Sequence, residues 1–314
     1  MPPRVSVVIA THNGERSLRQ TLGSVLAQTY GDWEAVVTDD ASTDGTAALV
    51  AEYVERHPGR IKLVRLDSNV GPALARNAAV EASSGGELLA LLDHDDRWRE
   101  DYLEHMVGVY DAAVAEGRRV GVVGCNPLIE TEDGIADKTF AEHYWWSDHV
   151  DYDAMIERDY VYAGALFPRE GFERVGRLSG ECWGSDDYDL WLRLMEEGYE
   201  VVTTRESVAV YRCHSTAISA NDLTMADAAI AAYSRALRRG QVDRRRQRKI
   251  RRQLRHYRAL RDRALVRKAV RERRPFTAGV RAMHAAPRGL IAFVQSPERW
   301  GEWARDLTRS RPVV

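Results

Sequence analysis

Cysteine is scarce in this chain. Three residues in 314, Cys125, Cys182 and Cys213, are too few and too scattered for a disulfide framework or a zinc site. Long hydrophobic runs are also missing: nothing approaches the roughly eighteen apolar residues that cross a bilayer. That argues against a membrane-embedded chain. The opening MPPRVSVVIATHN has an apolar stretch of only about five residues and no small-residue cleavage site, so it does not read as a secretory signal. Global disorder is excluded too, since 44% of residues are hydrophobic and 29% charged, ordinary values for a chain with a buried core. A soluble, cytoplasmic protein is expected, with two domains or one domain and a long extension.

The net charge of −2 conceals an asymmetry. Residues 235–274 hold 19 Lys/Arg against 3 Asp/Glu, a surplus of 16, so the rest of the chain carries −18. An acidic body is joined to one very basic segment.

The first hundred or so residues alternate strand and helix signals, the pattern of βα units around a parallel sheet. VSVVIA at 5–10 is a continuous apolar run, as a strand buried on both faces requires, and it ends in Thr11, His12, Asn13 and Gly14. Leu18, Leu22, Val25 and Leu26 then recur at helical spacing. WEAVVT at 33–38 predicts a second strand ending in Asp39 and Asp40, with Ser42, Thr43 and Asp44 offering caps for a helix to about Arg56. A third strand at 61–66 leads into Asn69-Val70-Gly71-Pro72 and a helix from about Ala73. ELLALL at 87–92 predicts a fourth strand, which runs into Asp93-His94-Asp95-Asp96.

Ligands of open parallel sheets bind beyond the carboxyl ends of the strands. Three strand ends here deliver polar groups and carboxylates, which repel one another unless a cation or hydrogen-bond donors offset them. Mg²⁺ commonly bridges one or two carboxylates to substrate phosphates. Any single Asp after a strand can simply cap the next helix; several such clusters together favour a site.

Residues 101–222 are mixed in pattern and rich in aromatics, among them Tyr144, Trp145, Trp146, Tyr152, Tyr160 and Tyr162. A second acidic cluster, Ser185-Asp186-Asp187-Tyr188-Asp189, opens a helical run, where carboxylates also suit the helix dipole. Beyond about Thr224 strand signals stop, and Ile250, Leu254, Tyr257 and Leu260 form an apolar stripe at helical spacing.

Five stretches in order, VSVVIATHN, SLRQTLGSVLAQTYGDWEAVVTDDASTDGT, NVGPALARNAA, ELLALLDHDD, and GSDDYDLWLRL with YRCHSTAIS behind it, give the chain a resemblance to the family 2 glycosyltransferases over roughly residues 4–220. That resemblance implies a GT-A fold: a Rossmann-like, mostly parallel sheet flanked by helices. Residues 1–222 would form the catalytic domain, with a nucleotide-sugar half at 1–100 and an acceptor half at 101–222. Residues 223–314 would form a basic helical extension.

The resemblance also implies roles. Thr11, Asn13 and Asp40 match positions around the nucleotide's base and ribose, with Asp40 accepting from a uracil N–H, which favours UDP, while dTDP presents the same N–H and GDP stays open. Arg76 matches a basic residue near the nucleotide. Asp93-His94-Asp95 matches the family's Asp-x-Asp, with Asp93 near the ribose and Asp95 holding Mn²⁺ or Mg²⁺ on the diphosphate; Asp96 is a neighbour without a defined role. Asp187 matches the general base of an inverting displacement, and Asp186 stands where Glu is frequent. His214 matches a histidine that serves some relatives as a metal ligand, although a lone His is as often a satisfied surface or core residue. Trp183 and Trp191 either stack on a sugar or pack in the core.

Three readings compete for the basic tail: a helical extension with a solvated or internally paired Arg face, a peripheral contact with the inner face of the membrane aided by residues 290–294 (LIAFV), or nucleic-acid binding, for which Arg content alone speaks. Two other functional classes stand beside the glycosyltransferase. A metal-dependent nucleotidyltransferase would need a basic, Gly-rich phosphate loop, of which THNGERS is a poor version. A non-catalytic binding protein is disfavoured by the intact Asp40, Asp93, Asp95 and Asp187. The acceptor (glycan, lipid-linked sugar, natural product or peptide) leaves no readable code.

Overall fold

The computed structural model describes residues 1–143, 146–147 and 149–272. Tyr144, Trp145 and the 290–294 run named above lie outside the described residues. The chain divides into two compact units, Met1–Ser215 and Thr216–Val314; the sequence pattern had put the division after residue 222, where the helical periodicity begins.

Three βα units open the first unit: β1 (Val5–Thr11), α1 (Glu15–Leu26), β2 (Trp33–Asp39), α2 (Thr46–Arg56), β3 (Ile61–Arg65) and α3 (Pro72–Ala82). There follow β4 (Leu88–Leu91), β5 (Arg97–Trp98), α4 (Tyr102–Ala115), β6 (Val120–Gly124), β7 (Leu128–Thr131), β8 (Gly134–Thr139), α5 (Phe140–His143) and α6 (Tyr152–Glu157). The unit closes with β9 (Leu166–Pro168), α7 (Arg169–Arg174), α8 (Asp186–Glu196), β10 (Glu200–Thr203) and β11 (Ala209–Arg212).

Seven strands form the main sheet in the order β10-β6-β9-β4-β1-β2-β3. β2 and β4 are buried at every position, because helices cover both faces, and this is why both strands are mainly apolar with no alternating polar face. Strand order builds outward from β1 through β2 to β3, then returns to place β4 on the other side of β1. The reversal between β1 and β4 opens a crevice at their carboxyl ends. The three-residue β9 is antiparallel to both β4 and β6. A smaller sheet, β5-β11-β7-β8, carries β11 toward the segment after β4 by pairing with β5. This is the mostly parallel, helix-flanked architecture expected.

One local expectation is corrected. Ser42 and Thr43 do not cap α2. The Asn13 N–H donates to Ser42 Oγ at 2.8 Å, and the Thr43 N–H donates to the Asn13 side-chain oxygen at 2.8 Å. Both residues fasten the turn after β2 to the turn after β1, while Asp44 accepts from the Thr46 N–H at 3.0 Å in the first turn of the helix.

The described part of the second unit is a helical hairpin. α9 (Asp222–Arg239) starts at Asn221, whose side chain accepts from the Leu223 and Thr224 N–H groups at 3.1 Å, an N-cap. It ends at Gly240 with φ 69°, the left-handed stop that glycine adopts without strain. α10 (Arg244–Arg271) runs back along it. Tyr257 packs on Tyr233 with ring centroids 5.7 Å apart, Arg261 lies 3.6 Å from Asp227, and Arg267 pairs with Asp222, so positions rise along one helix as they fall along the other. Ile250 and Leu254 are buried, Tyr257 and Leu260 partly so. No described helix is long and apolar enough to cross a membrane.

Candidate active site

The parallel register puts the ends of β1 and β2 side by side, Thr11 opposite Asp39, and the Asp40 N–H donates to the Thr11 carbonyl at 2.8 Å. Thr11 is buried and its hydroxyl has no hydrogen-bond partner. Gly14 crosses very close: a Cβ there would stand 2.3 Å from Thr11 Oγ1 and 2.7 Å from His94 Cδ2. His12 Nδ1 is 2.7 Å from the Asp40 carbonyl oxygen, and Asn13 is exposed with φ 55°. Asp40 is 3% exposed, and its two oxygens accept from the Val70 and Gly71 N–H groups at 2.8 Å each. Its carboxylate therefore anchors the turn that starts α3, with one further lone pair on each oxygen.

Arg76, buried on α3, joins elements far apart in the chain. One terminal nitrogen donates to Asp93, just beyond β4. The other donates to Asp186, the first residue of α8, at 2.7 Å. Burial opposes the guanidinium charge, but Asp93, Asp186 and Asp187 outweigh it and hold its pKa above the usual arginine value. Asp186 is 2% exposed, and its carboxyl is raised by burial, with Arg76 pulling against that. Half-buried Asp187 is pushed up to about 7, chiefly by burial and then by the charge of Asp186, against the pull of Arg76 and of its bond from the Tyr188 N–H. A carboxylate titrating there is poised for proton transfer near neutral pH.

His214, just beyond β11, meets Asp95 with its Nε2 2.8 Å from a carboxylate oxygen. Pairing of β11 with β5 makes this meeting possible, since β5 follows Asp95 by two residues. Asp96 faces inward: it accepts from the Tyr162 hydroxyl and, at 2.8 Å, from the Arg212 N–H. Burial first, then Asp95 and Asp93, raise its carboxyl well above the normal range. Asp96 is thus a structural link between the acidic turn and β11. Among the described residues no three His, Cys, Asp or Glu side chains form a group that could hold a metal by themselves. The Asp95–His214 pair does fit a divalent cation that takes its remaining ligands from water and phosphate oxygens, the usual habit of Mg²⁺; imidazole suits Mn²⁺ less than oxygen does but is an accepted donor.

The two tryptophans part ways. Trp191 is fully buried and packs edge-on against Phe167 at 5.3 Å, so it belongs to the core. Trp183 is 46% exposed, three residues before Asp186, and its ring covers Gly71, where a Cβ would come within 2.7 Å. Residues without a sequence signal also join the site. Tyr162 holds Asp96. Asp159 accepts from the Val161 N–H at 3.0 Å, and its carboxyl is raised by burial and by the charge of Asp187. Both lie in the aromatic stretch, where no spacing pattern marks them.

Against known families, the model for Glycosyl transferase family 2 matches residues 6–176. The chain belongs to that family. Asp186, Asp187 and His214 lie beyond the matched residues. An Escherichia coli relative, UDP-Glc:alpha-D-GlcNAc-diphosphoundecaprenol beta-1,3-glucosyltransferase WfgD, is 38% identical over 218 residues, 69% of this chain and 80% of its own. Among solved structures, the mannosyltransferase PcManGT from Pyrobaculum calidifontis in complex with GDP-Man and Mn2+ matches with a TM-score of 0.64 at 23% identity, covering 98% of this chain and 85% of that one. S. aureus TarS 1-349 in complex with UDP-GlcNAc matches with a TM-score of 0.58 at 16% identity, covering 97% and 88%. These likenesses establish a GT-A-like α/β fold, and with the family match they make the chain a glycosyltransferase.

Proposed function

We propose that this glycosyltransferase moves a sugar from a UDP-sugar to an acceptor hydroxyl with inversion, using Mn²⁺ or Mg²⁺ on the diphosphate and Asp187 as general base. The carrying observation is Arg76, which ties Asp93 of the acidic turn to the start of the helix that presents Asp187. Asp95 and His214 would hold the cation, and a bound cation there would offset the charge developing on the leaving diphosphate. Thr11, Asn13 and Asp40 would bind the nucleoside, with the remaining Asp40 lone pairs among its polar contacts. Asp93 would face the ribose. Asp187, deprotonated, would take the proton of the attacking hydroxyl, a poor nucleophile until that proton leaves. Arg76 keeps its charge between these two halves and would hold the nucleotide side and the base side in register.

UDP is favoured because a buried Asp acceptor suits the uracil N–H. For the acceptor, a sugar carried on a lipid diphosphate is the reading that the likeness to WfgD supports. The deciding experiment is a thermal-shift screen of UDP, dTDP, GDP and CDP, each with Mn²⁺ and with EDTA. A ligand that binds only the folded state raises Tm by mass action, so a shift with UDP that requires the metal is expected. No shift with any nucleotide would overturn the donor-site reading.

A further inference from the structure

Two sets of arginines on α10 differ in what they face. Arg261 and Arg267 turn toward α9 and meet Asp227 and Asp222. On another face of α10, Arg244, Arg248, Arg251, Arg255 and Arg258 follow one another at alternating spacings of four and three residues, and all five are exposed. Such spacing keeps side chains on one side of a helix. At 1.5 Å per residue the row is about 21 Å long. Arg252 is exposed beside it. Among the described residues the row makes only a 3.4 Å bond from Arg251 to the Gln247 side-chain oxygen, and no carboxylate pairs with it.

Placing five like charges along one helix face disfavours the bare helix by mutual repulsion, so an anionic counter-surface is the physical complement of the row. We infer that this face docks on an anionic lipid bilayer, its guanidinium groups meeting headgroup phosphates. Two features favour a bilayer over a nucleic acid. The row is straight and lies on the side of a helix packed against another helix, which suits a plane. It also carries no interleaved exposed Tyr, Trp or Phe to stack on bases, since Tyr257 packs inward on Tyr233. Because the exposed face has arginines in place of the large apolar residues that insert into acyl chains, attachment is electrostatic and reversible, and salt weakens it. Docking of this kind is independent of the acceptor assigned above, and its test uses no catalytic readout.

The 314-residue chain is sedimented with vesicles of phosphatidylcholine containing phosphatidylglycerol, and with phosphatidylcholine alone, at low and high salt. Binding to the anionic vesicles only, lost at high salt, is expected. A variant with R248E, R251E, R255E and R258E should lose at least about tenfold in partitioning, and the corresponding Gln variant should fall between it and the native protein. Circular dichroism and the UDP thermal shift establish that both remain folded. Equal partitioning on neutral vesicles, no binding to either kind, or undiminished binding by folded variants would each overturn the inference. Retention of duplex DNA at a salt concentration that releases the vesicles would overturn it in favour of a nucleic-acid partner.

Discussion

Arg76 and Asp186 stand 110 positions apart and meet at 2.7 Å, both almost fully buried. Arg76 also holds Asp93, so a single guanidinium joins α3, the turn after β4 and the start of α8. A planar fork can serve two carboxylates at once, which an ammonium cannot do with the same geometry. Removing one member of a buried pair leaves the other charge uncompensated, at a cost of about 3–5 kcal/mol. Arg76→Ala should therefore lower stability by that order, and Arg76→Lys by less. Adding Asp186→Asn to Arg76→Ala should recover part of the loss, because the orphaned carboxylate disappears. Urea denaturation of the single and double variants measures this; additive losses would show that the two residues are not coupled.

Asp187 as base has a direct kinetic signature. Asp187→Asn should lower kcat by about a thousandfold or more while leaving donor affinity nearly unchanged, since the group acts only on the acceptor proton. In the native enzyme kcat/KM should rise with pH through about 7, the value to which the Asp187 carboxyl is pushed. Comparable turnover in the Asn variant would refute the assignment.

The same carboxyl sets a stability effect of opposite sense. Its folded-state pKa of about 7 lies above the unfolded value. The folded state therefore binds the proton more tightly, its contribution is fully present below the unfolded pKa, and stability is lost as pH rises through about 7. Asp187→Asn removes that penalty. At pH 8 the inactive variant should melt higher than the native protein, by about 3 °C or more, and the difference should vanish near pH 4. Calorimetry at the two pH values tests the sign.

Much of the architecture was legible because it is local. Strands β1 to β4 are short, mainly apolar segments ending in polar turns, and the structure moves their predicted ends by only a residue or so. The pairings of Arg76 were not legible, since its partners come from the turn after β4 and from α8 and depend on tertiary placement. Nor was β9, whose three residues are too few to show a period. Trp183 and Trp191 look alike in sequence; only the orientation of α8 and of the turn before it sends one to the core and leaves the other exposed. Ser42 and Thr43 read as caps because their chemistry suits capping, yet the neighbouring turn, folded against them by the parallel register, takes their hydrogen bonds instead.

The Asp95–His214 pair predicts a divided outcome for metal and nucleotide. Asp95→Ala should abolish the part of the UDP thermal shift that requires Mn²⁺ and leave a small residual shift in EDTA. His214→Ala should reduce the metal-dependent part by less, since a charged oxygen donor contributes more to a hard cation than a neutral imidazole. Calorimetric titration of Mn²⁺ into the UDP-bound variants quantifies both, and unchanged Mn²⁺ affinity in Asp95→Ala would remove it from the cation site.

Gly71 and Trp183 make the last test, because two separate constraints act on one backbone position. The glycine has φ 87° and ψ 165°, a region essentially reserved for glycine that costs other residues of order 1–3 kcal/mol. Independently, a Cβ there would meet the Trp183 ring at 2.7 Å. Gly71→Ala should thus destabilise the protein through both terms, and through a third if the 70–71 amides lose their aim at Asp40. Trp183→Ala in the same chain removes only the steric part. The double variant should therefore be more stable than the sum of the single effects predicts, yet remain below Trp183→Ala alone by the backbone term. Denaturant midpoints of the four proteins separate the two contributions; strict additivity would mean that the ring yields freely and does not constrain the turn.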